Sequence, residues 1–471
     1  MNPSSTSRQG GVRTPWGVLV SYVLPSFALA ALGMPIVVHL PKLYASQGIG
    51  LDFVTVGAIF AIMRVLDVVI DPLMGYISDR WRTPIGRRRP VIALGAPLLC
   101  LGIWMAFNPQ GHVGIGYLCF WLFVMYLGWS AVVVPHLSWG AEISSDYHER
   151  SRIYGWYQTL TVMGMMGVLM MPAILEQKGY PLATQVMAMA AFALVTLVPS
   201  VVLCLIFVPE PDVKLSTRAP LLPTLRFLLR NSAMRRIMAV DFIESLNQGA
   251  RGSMFLYFAS LGLALPKFGG TLLLCYFLSG IIFMPVWIAL SRRIGKHRAL
   301  MVSFVYGILA VSLFFLIPQG NAEVAFVIIP LSGASYGAPA FLIRAMMADV
   351  ADADTVETGA ERAGIMYSFL SLTSKFGIGC SVALAFGTLS WLGFDPKIHN
   401  SAAAIDHLRY FFILLPLVLA AIGFATMLGY PLDETEQKRL RTDIERRRAA
   451  AIPATPDDAI TGEAIAEGAA E

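Results

Sequence analysis

Long apolar blocks separated by short polar gaps run through this chain from Trp16 to Tyr430. The first six occupy Trp16 to Leu40, Asp52 to Ile77, Val91 to Phe107, Val113 to Trp139, Tyr154 to Leu175 and Gln185 to Val208. A second six occupy Ile237 to Leu261, Gly270 to Leu290, Met301 to Ile317, Ala322 to Met347, Ile365 to Leu392 and Tyr410 to Tyr430. Most reach the roughly 20 residues with which an α-helix crosses about 30 Å of hydrocarbon. The pattern predicts an all-α membrane protein with twelve transmembrane helices in two six-helix halves. The halves are 15–208 and 237–432, with short tails 1–14 and 433–471 outside them. The polar connection 209–236 joins them, and its stretch Leu221 to Arg236 alternates apolar residues with arginines, as an amphipathic helix lying on the bilayer does. Beyond Pro431, Asp433 to Arg448 reads as a solvated charged helix and Ile452 to Glu471 as disordered.

Composition narrows the class. With 56% hydrophobic and only 14% charged residues, the chain is far from the roughly 25% charge of soluble domains, so a water-soluble globule is excluded. Arg8 and Arg13 precede the first block as in a signal peptide, but its length and the further blocks after it mark a retained helix. The net charge of +5 sits mostly in alternate loops: Arg80 to Arg89, Arg150 and Arg152, Lys214 to Arg236, and Arg292 to Arg298. By the positive-inside rule these loops and both termini face the cytoplasm, across the cytoplasmic (inner) membrane. The charge therefore gives no reason to expect nucleic acid as a partner. The five cysteines fall inside the blocks at irregular spacing, unlike a disulfide framework or a metal site. No GxxxxGK[ST], HExxH or GxSxG motif is present, so neither an enzyme nor a cofactor is expected.

One block carries charge where lipid is expected. Arg64, Asp67 and Asp71 lie in the second block at spacings i, i+3 and i+7, on one helical stripe. Each charge near the bilayer centre costs roughly 2.5–3.5 kcal/mol, while each Leu, Ile, Phe or Val returns about 0.3–0.6 kcal/mol. The stripe must then face a protein interior or a watery cavity. Two carboxylates one helical turn apart repel each other unless something positive lies between them, so they are expected to hold either a proton or Na+.

The halves echo each other. Ala141-Glu142-Ile143 with Glu149-Arg150 matches Ala348-Asp349-Val350 with Glu361-Arg362, and the basic run around Gly86 matches that around Gly295. Duplicated helical halves with a site at their interface are the architecture of transporters that rock one half against the other. Asp79, Arg80, Arg87, Arg88, Glu142, Arg150, Asp349 and Arg362 then form a candidate charge network that holds one conformation shut.

Arg64-x-x-Asp67-x-x-x-Asp71-Pro72-x-x-Gly75, then Asp79-Arg80, then Gly86-Arg87-Arg88-Arg89-Pro90, resembles the glycoside-pentoside-hexuronide:cation symporters, the melibiose-carrier family of the major facilitator superfamily. Pro135, the segment Asp349 to Gly364, Tyr367-Ser368 and Lys375-x-Gly377 continue the match. The resemblance implies the major facilitator fold and cation-binding roles for Asp67 and Asp71. It implies a helix-four hydroxyl near Ser130 and a counter-charge at Lys375 beside the cation. Whether that ion is Na+ or H+ stays open. The family's helix-one and helix-four acids and helix-five arginine are missing: no charge occurs between Arg13 and Lys42, and the other registers fall near Val133 and Gln158. That departure argues against a galactoside. Arg64, Tyr22, Trp129, His136, Tyr157, Gln158, Asn247, Gln248 and Tyr336 remain as candidate substrate contacts, aromatics to stack on a sugar ring and amides to bond its hydroxyls.

On the seventh block Asp241, Glu244, Asn247 and Arg251 share a stripe on which Glu244 and Arg251 could pair, and Arg344 lies toward the cytoplasmic end of the tenth. The expected function is cation-coupled symport of a sugar or glycoside by a monomer surrounded by lipid. The alternatives are symport of a lysolipid or other amphiphile and a membrane solute sensor that transports nothing. A potential of about 100 mV supplies roughly 2.3 kcal/mol per charge carried, enough to drive accumulation without an ATPase.

Overall fold

The computed structural model describes residues 13–44, 53–109, 113–144, 146–210, 230–358, 362–394, 400–432 and 439. The helices traverse the molecule twelve times. The first six traverses are α1 (Trp16–Met34), α2 (Phe53–Arg80), α3 (Arg88–Phe107), α4 (Ile115–Ile143), α5 (Tyr147–Gln177) and α6 (Leu182–Phe207). The second six are α7 (Ser232–Tyr257), α8 (Gly269–Ile294), α9 (Lys296–Ser312), α10 in two pieces (Ala322–Gly333 and Ala338–Thr358), α11 (Ala363–Trp391) and α12 (Ala402–Met427). Nine spans among the described residues are long and apolar enough to cross a membrane; α2, α5 and α7 are the helices with polar side chains spread along them.

The two acids of α2 turn inward. On α2 the exposed residues Ile62, Leu66, Val69 and Leu73 form one stripe at spacings of four, three and four, and Met63, Asp67, Ile70, Asp71 and Met74 are buried on the other. The lipid face is thus wholly apolar, and the acids lie on the side that packs against α4 and α11.

Within the first six helices α1 packs on α5 and α6, and α3 on α4; within the second six α7 packs on α11 and α12, and α8 on α10. The two groups meet through α2 with α11, α5 with α8 and α10, and α4 with α11. The repeat read from sequence has structural counterparts. Gly86 and Gly295 both take positive φ, +117° and +85°, at the tight entries to α3 and α9. α1 runs into a π turn at Pro35–His39, and α7 into one at Phe258–Gly262.

The tenth apolar run is not one helix. Its chain turns between Ala334 and Gly337, after Pro330 has removed a backbone donor. Gly333 lies so close to α8 that a Cβ there would meet the Tyr276 carbonyl oxygen. Trp287 of α8 fastens the break, donating from Nε1 to the Ala334 carbonyl at 2.7 Å. α7 also starts earlier than its apolar run, because Asn231 Oδ1 caps it by accepting from Met234 N at 3.1 Å. Most of the linker, 211–229, and the tail beyond 432 save for Arg439 lie outside the described residues, and with them the amphipathic and solvated helices expected there.

Both ends of the bundle reach one basic face. Thr14 N donates to Glu149 Oε1 at 3.2 Å, and Arg236 of α7 donates to the Leu428 and Thr426 carbonyls beyond and within α12. On this face α2 and α11 touch backbone to backbone: a Cβ on Gly75 would lie 2.5 Å from the Gly364 carbonyl oxygen. Gly75→Val should overpack this contact at a cost of about 1–3 kcal/mol. The expected outcome is a lower thermal unfolding midpoint in detergent than Gly57→Val, whose Cβ has open space around it.

Candidate functional site

Side chains from three helices converge midway along α2. Asp67 and Asp71 are 0% and 1% exposed. Lys375 of α11 sets its Nζ between them, 2.6 Å from Asp67 Oδ2 and 2.8 Å from Asp71 Oδ2. On the other edge of the acid pair, Ser130 of α4 donates its hydroxyl to Asp71 Oδ1 at 2.6 Å and lies 3.2 Å from Asp67 Oδ1. Ser371, one turn before Lys375 on α11, donates to Asp71 Oδ2 at 2.7 Å. Charge-assisted bonds of this kind are about twice as strong as neutral ones, and low surrounding polarity strengthens them further. Two carboxylates and two hydroxyls make an oxygen-rich set suited to a hard monovalent cation. Lys375 stands where such a cation would bridge the acids. The side chain of Arg64 lies outside the described residues.

Toward the basic face the charges form layers. Arg88 is fully buried and brings its Nη2 to 2.6 Å from both Asp79 Oδ1 and Glu142 Oε1, while its Nη1 donates to Ser78 Oγ at 2.7 Å. Arg87 adds a second pair to Glu142 at 2.8 Å. Asp79 also crosses to the second half, accepting from the backbone N–H of Gly364 at 2.9 Å and Ile365 at 3.1 Å, at the start of α11. Arg150 crosses the other way. Its fork binds Asp352, with Nη2 at 3.0 Å from Oδ1, lies 3.6 Å from Asp349, and donates to the carbonyls of Ala141, Ser144 and Ala348. Lys296 holds Asp349 with both oxygens at 2.7 Å. This pair parallels Arg88 with Glu142, each a base at the first residue of a helix paired to an acid on another helix of the same half.

Arg80 is exposed and lies over the Tyr76 ring at 4.2 Å. Arg362 faces Asp354 within its own half, at 3.6 Å. Lys296, Asp352 and Ser371 were not singled out as site residues from sequence, and neither was Glu210. Glu210 Oε1 accepts from the N–H of Arg87 and Arg88, both at 2.6 Å, capping α3 from the root of the linker.

The candidate substrate residues fall into two groups. Tyr22 and His136 are buried against each other, rings 4.6 Å apart, with Tyr22 OH donating to the His136 carbonyl at 3.1 Å. Tyr157 packs 6.3 Å from Tyr22 and lies under the Arg344 guanidinium at 5.4 Å. Gln158 accepts from Arg344 Nη1 at 2.6 Å, across the halves. Arg344 therefore ties α10 to α5 across the halves. The second group lies on α7 and its neighbours. Glu244 accepts from Gln248 at 3.0 Å and Asn247 at 3.5 Å. Arg251 donates to Ser332 Oγ at 3.0 Å and lies 5.1 Å over the Tyr276 ring, so the two do not form the pair their spacing suggested. Tyr336 packs 5.5 Å from Tyr276. Trp129, beside Ser130, is half-buried.

Inward-facing charge on apolar spans, doubled helical halves and cross-half ion pairs define a polytopic membrane protein of the major facilitator type. The chain belongs to the MFS/sugar transport protein family, whose model matches residues 21–434. YagG of Escherichia coli strain K12, named as a glycoside/cation symporter, is 25% identical over 429 residues, 87% of this chain and 91% of that protein. The isoprimeverose transporter of Lactiplantibacillus pentosus is 24% identical over 454 residues, 92% of each chain. Among solved structures, FucP in its outward conformation superposes with a TM-score of 0.63 at 12% identity, covering 86% of this chain and 98% of that one. FucP is the fucose:proton symporter of Escherichia coli.

Removing Arg150 takes away the ion pair of Asp352 and one of the two cations facing buried Asp349, and breaking a buried network of this kind costs about 3–5 kcal/mol. Arg150→Gln should lower the unfolding midpoint and raise thiol labelling of a Ser368→Cys reporter in the same chain. Arg150→Lys should restore only part of either, because an ammonium lacks the planar fork.

Proposed function

We propose that the chain is a secondary active transporter that couples inward movement of a cation to uptake of a sugar or glycoside. The observation that carries this reading is the Lys375 ammonium bridging two buried acids on the opposite half, with hydroxyls from Ser130 and Ser371 completing the set. Relatives named as glycoside and isoprimeverose carriers support the substrate class. The coupling cation is Na+ in this reading: a proton needs one carboxylate, whereas here four oxygen-bearing side chains converge.

The basic loops face the cytoplasm by the positive-inside rule, in the inner membrane with both termini inside. Residues 15–208 and 237–432 are the two moving bodies. The ties between them run from Asp79 and Arg150 on the basic face to Lys375 at mid-membrane, so this conformation is closed toward the cytoplasm and receives substrate from outside. Asp79, Arg87, Arg88, Glu142, Arg150, Asp349 and Lys296 act as the inner gate. Arg344, Gln158 and Tyr157 from one side and Asn247, Gln248 and Tyr336 from the other face the sugar. The protein works as a monomer, since each half supplies part of every site.

Asp71→Asn should abolish gradient-driven accumulation in proteoliposomes, by at least tenfold, while leaving exchange of labelled sugar across the membrane. Wild-type accumulation in that variant under an imposed Na+ or H+ gradient would refute the coupling role.

A further inference from the structure

The coupling scheme leaves the buried carboxylate of Asp241 without a task. Asp241 of α7 is 8% exposed and accepts two hydroxyl bonds on Oδ2, from Thr373 Oγ1 at 2.6 Å and Ser374 Oγ at 2.7 Å, both on α11. Among the described residues no Lys, Arg or His pairs with it. An ionised carboxylate buried in a membrane span needs an opposite charge within reach.

The same stretch of α11 lies between this acid and the α2 pair. Ser371 and Lys375, one turn apart, reach Asp71 on α2. Thr373 and Ser374 reach Asp241 on α7. Neighbouring residues on a helix point roughly 100° apart, so Ser374 and Lys375 leave α11 in adjacent directions, one to Asp241 and the other to the α2 pair. Its flexible four-carbon stem suits it to either side.

Charge explains why it would move. The Lys375 ammonium occupies the Oδ2 edge that bridges Asp67 and Asp71. A cation binding across that edge meets a like charge at short range, which is strongly unfavourable away from water. The displaced ammonium then needs another carboxylate, and Asp241 is the acid bound by the residue next to Lys375 in sequence on α11. Two other charged groups face this region. Glu244, one turn along α7, is occupied by the amides of Gln248 and Asn247. Arg344 is within electrostatic range of Asp241 but is tied to Gln158 and laid over Tyr157.

We propose that Asp241 is the second station of Lys375. Cation entry at Asp67 and Asp71 hands the ammonium to Asp241, exchanging an ion pair across the halves for one within the second half. The mid-membrane tie between α2 and α11 is thereby released by the ion itself. Asp241 is a positioning residue in this scheme: it acts on the coupling cation through Lys375. The proposal rests on the reading of Asp67 and Asp71 as the coupling site.

The test is a double-substitution cycle on the purified full-length protein without sugar. Binding is followed by Trp fluorescence during Na+ titration, and during pH titration in choline. Asp241→Asn should weaken cation affinity at least tenfold, and Asp241→Glu should recover most of it. In a Lys375→Ala background, Asp241→Asn should change affinity less than twofold, because the group it receives is gone. Unchanged affinity in Asp241→Asn, or equal weakening in both backgrounds, overturns the proposal; the latter outcome marks a direct ligand or a purely structural acid. Asp241→Ser serves in the same cycle where the Asn variant does not fold. Intact cation binding in Asp71→Asn overturns the coupling site and this proposal together, whereas a sensitive Asp71 with no interaction between positions 241 and 375 overturns this proposal alone.

Discussion

A charge in the middle of a membrane protein must be answered by another charge, and the organisation of this molecule follows from how the Lys375 ammonium is answered. It comes from the second half, and its partners Asp67 and Asp71 come from the first. The energy that holds the pair is large because water is excluded, and for the same reason neither partner can be left alone. Any species that takes the place of the ammonium must itself be positive. Occupancy of the acid pair and contact between the halves are therefore one event seen from two sides, which is the physical requirement for coupling an ion to a conformational change.

The charges nearer the basic face are arranged on a different principle. Arg88 with Glu142 and Lys296 with Asp349 are counterparts, each tying the first residue of one helix to an acid on another helix in its own half. They stiffen the halves. Arg150 and Asp79 are not duplicated in this way; each reaches across, one with a guanidinium fork and one through backbone N–H groups at the start of α11. Symmetric pairs build the two bodies, and asymmetric ones hold them together in a single orientation.

Much of this was legible in the chain, for reasons that differ by residue. The apolar blocks gave the helices, and the acid stripe on α2 stood out because charge is rare there and its spacing follows the helical period. Lys375 was found through the family resemblance. So was Ser130, since a serine in a span reads the same whether it faces lipid, backbone or an ion. Ser371 and the hydroxyls that hold Asp241 were missed for that reason. The tie of Arg344 to Gln158 was not legible because the two lie in different halves, and nothing in local sequence links them. The break in α10 was hidden by a run that stays apolar through Pro330 and Gly333, where packing against Tyr276 decides the backbone. Glu244 and Arg251 share a helix face, yet each found a neutral partner closer than the other.

The cap that Glu210 places on α3 has a consequence for the tether between the halves. It anchors the first end of the connection on one body, and Asn231, at the head of α7, anchors the other end on its counterpart. Each end of the connection is thereby fixed to its own body, and the contacts described between the bodies are the charges and backbone groups where they meet.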